Sequence, residues 1–498
     1  MNEDLRALYQ ELGYTGQLVQ PKRRSRDLGD PLPEAEQVPE LPPLDRQGLR
    51  QIETLLQDQP EETLALIKNN FSYPLTDDII RDSLEEARQA FAAPAKFVAD
   101  LRAKREKERI DLEGRRTRDI EGRVATFPPE LMLYPDIPIE PNNHKFEPMG
   151  DALGWVFNSI YFIARDKLNP KHLKARFPMH SEFKSNFTYR MKDAHGEPLA
   201  PDRKITVALF ADFGTGLYHS RYIARNIAAF EPDYAFHLGD VYYAGRNAEF
   251  RYHFEQPLEP VLQKSRVFTM NSNHEMFSGA FPYFSYLNYK RNKKEGWVEQ
   301  AQEASYFCIW NEKFQIIGID TAYHEDGRHR ITELNQWLGE RLHMGKNAQP
   351  KRINILLSPN EPYELGKEEF APLYSDLQEF VRAGLIDYWF WGNTHYCALF
   401  DKSLTTPFIG SCVGHGGHPI YKVDVELNDL KQKDLLKKNK TVPPTLWVEL
   451  SHKFPESTGL RADLANHGFC LMELEANMVR LTYYDWLKQK RFSWENNS

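Results

Sequence analysis

The sequence predicts an α/β domain preceded by a helical region, and three observations carry that expectation. Beyond Lys204, short β-rich apolar runs alternate with stretches of helical periodicity. Between Arg46 and Val124, apolar residues instead recur at spacings of three and four. Two proline clusters, within residues 20–45 and 127–148, divide the chain where the texture changes.

The elements follow in order. Residues 1–45 carry Pro21, Pro31, Pro33, Pro39, Pro42 and Pro43 among many charges, a composition that resists packing and predicts an extended arm. Residues 46–125 read as a helical region, with Leu49, Ile52, Leu55 and Leu56, then Ile80, Leu84, Ala87 and Phe91, on one helical face. Within it, Asp100 to Arg123 has only Leu101, Ile110, Leu112 and Ile120 to bury, so most of that helix is expected to face water. Residues 126–203 read as a linker and a docking segment. The docking part is Gly154 to Arg165, where Trp155, Val156, Ile160, Tyr161 and Ile163 keep a helical period.

The α/β domain is expected over residues 204–486. Its strands are Ile205 to Ala211, Tyr234 to Leu238, Arg266 to Met270, Phe314 to Ile319, Asn354 to Leu357 and Asp387 to Trp391. A hairpin of Gly468 to Leu474 and Met478 to Tyr484 closes it, and residues 487–498 read as a tail.

Bulk properties exclude several functions. At 498 residues the chain exceeds one core, since domains run about 100–200 residues. A net charge of −8 and a pI of about 6.1 leave no basic field to hold a nucleic-acid backbone. The opening Met-Asn-Glu-Asp-Leu-Arg lacks the apolar core of a signal peptide, and no run reaches the roughly 18 apolar residues of a membrane span. The four cysteines, Cys308, Cys397, Cys412 and Cys470, have no CxxC spacing. They predict reduced thiols in a cytoplasmic protein.

The chemistry gathers where strands end. The first strand runs into Asp212-Phe-Gly214, the second into Gly239-Asp240-Val-Tyr-Tyr243, the third into Asn271-Ser-Asn273-His274-Glu275. Carboxyl ends of strands in α/β sheets share one edge, so these groups can meet in one crevice as a metal site. No GxGxxG or GK[ST] phosphate cradle accompanies the first strand, and no local signature of a nucleophilic Ser or Cys occurs.

Asp212-x-Gly214, Gly239-Asp240-x-x-Tyr243, Asn273-His274-Glu275 and Gly392-x-x-His395, in that order, resemble the calcineurin-like metallophosphoesterases. In motif style they are most similar to the purple acid phosphatase branch. The resemblance covers roughly Lys204 to Tyr484. It implies a metallophosphoesterase-type two-sheet β sandwich flanked by helices (α/β/β/α), with two metal ions bridged by Asp240. It further implies a first metal, Fe, Mn or Zn, on Asp212, Asp240, Tyr243 and His395, and a second on Asp240 and Asn273. His274 would be the general acid or would stabilise phosphate charge.

Two further histidines that the resemblance implies are absent. The strand Ile353 to Leu357 continues Ser-Pro-Asn360-Glu-Pro-Tyr, and Asn393 stands where Gly-His-x-His has its first histidine. Ser272 also replaces a glycine. All three departures concern the second metal, where Asn273, Asn360 and Asn393 offer amide oxygens suited to Mg²⁺, Mn²⁺ or Ca²⁺. The loop Gly414-His415-Gly-Gly-His418 reads as a rim turn, with His415 a candidate substrate contact. His237 is expected to be packed inside its strand, and His219 to lie on the helix after the first loop.

Two functions follow as expectations. One is a metal-dependent hydrolase of phosphate esters or anhydrides, weakened by the missing histidines. The other is an impaired metallophosphoesterase-fold scaffold whose N-terminal helical region contacts a protein partner.

Overall fold

The computed structural model describes residues 3, 7, 8, 44, 46–69, 77–103, 133–140, 143–147, 151–163, 174–192, 197–200, 202–292, 302–450 and 460–496. The proline-rich arm and most of the charged stretch 100–123 lie outside the described residues.

Among these residues the strands are β1 (Thr188–Arg190), β2 (Ile205–Phe210), β3 (Tyr234–His237), β4 (Arg266–Thr269), β5 (Phe307–Trp310), β6 (Phe314–Gly318) and β7 (Ile353–Ser358). They continue with β8 (Tyr388–Trp391), β9 (Cys397–Phe400), β10 (Ile409–Val413), β11 (Thr445–Val448), β12 (Gly468–Glu475), β13 (Met478–Asp485) and β14 (Lys490–Glu495). One sheet runs β1-β5-β6-β7-β8-β10-β9-β11, the other β14-β13-β12-β2-β3-β4. In the second, β2, β3 and β4 are parallel and β12 is antiparallel to β2. In the first, β6, β7 and β8 are parallel.

Alternation along the strands makes the layers. On β2 and just beyond it, Ile205, Val207, Leu209 and Ala211 pack between the sheets with Phe236, Leu357, Phe390 and Met472. Ala208 and Phe210 point the other way, toward an outer core that includes Tyr222, Ile223 and Ile227 of a covering helix. Period-two side chains with both faces covered give a sandwich with helices outside it, the expected α/β/β/α architecture.

Helices α1 (Arg46–Asp58), α2 (Pro60–Asn69) and α3 (Asp77–Ala92) precede the sandwich, followed by α4 (Ala152–Trp155), α5 (Tyr218–Phe230) and α6 (Asn273–Phe277). Asp77 and Asp78 in the first turn of α3 suit the positive end of the helix dipole. The anticipated stripe Leu49, Ile52, Ile80, Leu84, Ala87 and Phe91 is buried in one separate cluster, joined by Val156, Phe157 and Ile160. Beyond α4 the helix continues to residue 163 through one wide turn, closed by a bond from the Tyr161 N–H to the Val156 carbonyl.

Two boundaries differ from expectation. β1 lies in the stretch read as linker and docking segment, and pairs with β5. β14 lies in the stretch read as a tail; its Phe492 and Trp494 pack toward the inter-sheet core and it pairs with β13. The four cysteines are free and buried. Among the described residues no helix is long and apolar enough to cross a membrane.

Candidate metal centre

The strand-end loops of both sheets meet at one edge. Asp212 follows β2, Asp240 follows β3, Asn273 and His274 open α6 after β4, and His395 follows β8. Asp212, Asp240, Asn393 and His395 have φ of 56°, 75°, 67° and 50°. Asp, Asn and His tolerate this left-handed region best, and residues held there concentrate at functional sites. The first two loops are pinned together: Gly214 N–H donates to the Asp240 carbonyl at 3.2 Å, and Tyr242 N–H to the Gly214 carbonyl at 2.9 Å. A Cβ on Gly214 would stand 2.5 Å from Val241 Cα, so this approach requires glycine. Glu275 completes the frame, its carboxylate accepting the N–H groups of Val241 at 2.9 Å and Ser272 at 3.0 Å.

Asp212, Asp240 and His395 offer ligand atoms that all lie within 4.8 Å of one another. His395 Nε2 is 3.1 Å from Asp212 Oδ1. The hydroxyl of Tyr242 sits among them, 2.7 Å from Asp212 Oδ1, 3.0 Å from Asp240 Oδ2 and 2.9 Å from His395 Nε2. Four donors around a cation with bonds of about 2 Å would lie about 3.3 Å apart, close to this spacing.

Tyr243, the tyrosine expected here, is turned away. Its hydroxyl bonds the Asp151 carboxylate, so the phenol at the centre is that of Tyr242. Tyr242 and Tyr243 lie in a turn, where counting from Asp240 does not tell which of the two hydroxyls reaches the centre.

Burial sets the electrostatics. It pushes Asp212 up to about 7 and Asp240 up to about 6, the latter against the opposing pull of His274. It lowers His395 to about 4 and raises Tyr242 well above the ordinary phenol range, helped by the charges of Asp212 and Asp240. One phenolic proton cannot serve both carboxylates, and the buried Asp240 Oδ1 has no hydrogen-bond partner. Among the described residues no lysine or arginine is paired with these carboxylates. Such a donor set fits a cation.

On the second side, His274 Nδ1 meets the Tyr243 carbonyl at 2.5 Å, which fixes the proton on Nδ1 and leaves a lone pair on Nε2. Asn273 Oδ1 accepts the Ser272 hydroxyl at 3.0 Å. Of the two other asparagines, Asn360 has its amide oxygen engaged, whereas Asn393 is held through its nitrogens. Asn360 Oδ1 accepts Thr321 Oγ1 at 2.6 Å while its Nδ2 donates to Asp326 at 3.2 Å; Asn393 Nδ2 donates to Glu361 at 2.9 Å and its N–H to Asp212 Oδ2 at 2.9 Å.

Each amide thus holds a carboxylate that sequence reasoning passed over. Burial raises Asp326 to about 6, with the charge of Asp240 adding to it, and Glu361 to about 8, with Glu364 and Asp326 adding. Glu361 adjoins Asn360 in sequence, which was a usable signal. Asp326 lies in the polar loop after β6 and carried none.

His415 is not on a rim. It is buried, its carbonyl accepting Gly468 N–H at 3.0 Å, and burial lowers it to about 3. Its loop supports the centre through His418, which sequence reasoning also missed: the His418 ring stacks on His395 at 4.0 Å and its N–H donates to the Asp212 carbonyl at 3.0 Å. His237 is packed in β3 against Thr269, and His219 lies on α5.

No family model and no curated protein matches the chain. Among solved structures it is similar to the purple acid phosphatase PPD1 from yellow lupin (Lupinus luteus) seeds. The identity there is 15%, over 60% of this chain and 55% of that one, with a TM-score of 0.42. The match therefore spans little more than half of the lupin protein. It is also similar to GAP50, the anchor in the inner membrane complex of Plasmodium, at 12% identity over 58% of this chain and 87% of that one, TM-score 0.40. Vacuolar Protein Sorting 29 from Cryptosporidium parvum matches at 13% identity, over 60% of this chain and 100% of that one, TM-score 0.27.

Proposed function

We propose that the chain is a metal-dependent hydrolase of phosphate esters. The observation that supports this most is the convergence of Asp212, Asp240, Tyr242 and His395 on one point among otherwise uncompensated buried carboxylates. Bound there, cations would polarise a phosphoryl oxygen and bring the pKa of a water near 7. A phenolate ligand and two carboxylates suit a hard ion in this first position, such as Fe or Mn.

The chain's own residues divide the remaining work. Asp240 meets Tyr242 through Oδ2, and its Oδ1, which has no hydrogen-bond partner, would be available to hold a cation. Asn273 would serve a second position, and the carboxyl groups of Asp326 and Glu361, held by Asn360 and Asn393, surround it with oxygen rather than nitrogen, which suits Mg²⁺ or Mn²⁺. His274, anchored through Nδ1, carries or accepts a proton at Nε2 for the leaving oxygen.

A scaffold role is the second reading, favoured by the enclosure of every member of the centre. Metal analysis of protein purified without chelator, with phosphomonoester and phosphodiester assays in Mn²⁺, Mg²⁺ and Zn²⁺, separates the two. Turnover that needs added metal and falls more than about 100-fold in Asp240→Asn supports the hydrolase. A tightly held ion with no turnover in any metal supports the scaffold.

A further inference from the structure

The centre is closed off from solvent. Asp212 is 0% exposed, Asp240 1%, His395 2%, His274 3% and Asn273 5%. A phosphate ester cannot touch atoms enclosed to this degree. The enclosing groups come from a segment N-terminal to the sandwich core. The ring of Trp155 lies 5.1 Å from that of Tyr243, 6.0 Å from His274, 5.9 Å from His418 and 6.4 Å from Tyr242. Phe146 adds a second ring, 4.5 Å from Tyr243 and 6.0 Å from Tyr242. Phe146, Trp155, Leu217, Tyr242 and Tyr243 form a small cluster of their own, separate from both sandwich cores.

Polar contacts tie this segment to the sandwich: the Glu147 carboxylate pairs with Arg461 and accepts the Tyr421 hydroxyl at 3.2 Å. The Asp151 carboxylate takes the Tyr243 hydroxyl and accepts the Phe146 N–H at 2.8 Å, and Ser159 Oγ donates to the Tyr243 carbonyl at 3.0 Å. A Cβ on Gly154 would lie 2.5 Å from the Tyr243 hydroxyl, so glycine lets the helix backbone rest on the phenol. The other face of the same helix meets the N-terminal helices. Phe157 packs on Phe91 of α3 at 5.2 Å, in the cluster that also takes in Ala244 and Phe277 from the loops of the centre.

We propose that Phe146, Asp151 and the helix 152–163 are an intramolecular cap, clamped from outside by α1 and α3, which must lift before a phosphorylated substrate reaches the centre. The identity of what enters rests on the hydrolase reading; the closure does not. The contacts to be broken are one small aromatic cluster, several hydrogen bonds and the Glu147–Arg461 pair, none of them part of the two sandwich cores, so the cap opens below the cost of unfolding the sandwich. The wide turn at Val156–Ile160 interrupts the regular helical ladder and gives the segment a place to bend.

The test uses the full chain in three forms: unaltered, Trp155→Ala, and Phe91→Ala, which loosens the clamp without touching the centre. Two quantities are read, the rate at which bound Mn²⁺ is lost to excess EDTA and amide hydrogen exchange over residues 240–245 and 273–278. Both substitutions are expected to raise both rates at least about tenfold while β2, β3 and β12 stay protected. Unchanged rates in both variants would overturn the cap. A chain that binds no Mn²⁺ in any form overturns the hydrolase reading instead, and faster exchange in the variants still supports the cap.

Discussion

The two sides of the centre are made from different chemistry. Asp212, Asp240, Tyr242 and His395 bring four donor atoms together directly, each side chain reaching the common point itself. Across Asp240, Asn360 and Asn393 instead face buried acids, and the carboxylates Asp326 and Glu361 stand behind them. The contrast teaches that the asparagines on this side stand against buried carboxyl groups rather than against apolar filling. Oxygen groups of that kind suit a hard cation more than a zinc-like one.

The strongest way to break this comparison is to exchange the roles of the two tyrosines. Tyr242→Phe removes a donor and is expected to weaken binding of the first ion by more than about 100-fold, beyond the loss of a mere supporting partner. Tyr243→Phe breaks only the bond to Asp151 and should change that affinity by less than about threefold. Equilibrium dialysis with elemental analysis measures both, and the opposite ranking would return Tyr243 to the site.

A smaller effect sharpens the other side. Asp326→Asn with Glu361→Gln keeps shape but removes two ionisable carboxyl groups, and should weaken a second equivalent of Mn²⁺ about tenfold while sparing the first. Titration calorimetry resolves the two steps. Equal loss at both steps would mean the acids serve the first ion.

The smallest effect is on stability. Asp212 at about 7 and Glu361 at about 8 hold protons more tightly folded than unfolded, so their contribution is lost as pH rises through those values. The histidines act oppositely: His395 is lowered to about 4, and its contribution is lost only as pH falls below the ordinary range. Above pH 6.5 the carboxylates therefore act alone. Metal-free protein should lose roughly 2 kcal/mol between pH 6.5 and 8.5, and saturating Mn²⁺ should flatten the curve. Urea midpoints at several pH values check this; a flat metal-free profile would contradict the uncompensated charge.

Much of the architecture was legible because long-range order coincided with local pattern. The strands at Ile205, Tyr234, Arg266, Phe314, Asn354 and Asp387 are apolar runs ending in chemistry, and all fall within observed strands or their edges. β1, β5, β9, β10 and β11 were not read, being three to five residues long and fixed by their neighbours more than by propensity. β14 was overlooked because its charges hid the alternation of Phe492 and Trp494. At the centre, Asp212, Asp240 and His395 were readable from their strand ends. The choice between Tyr242 and Tyr243 depended on loop backbone, and the closure by Trp155 on a contact nearly ninety residues away in sequence from Tyr242, which no local pattern encodes.

The cysteines have a use that their inertness supplies. Cys397 and Cys470 are sealed between the sheets, Cys308 and Cys412 beneath the outer helices, and burial raises all four above the usual thiol range. A maleimide reagent would therefore ignore the native molecule and mark both layers only in molecules that have opened throughout, so mass spectrometry of the adducts counts global opening directly, with no catalytic readout.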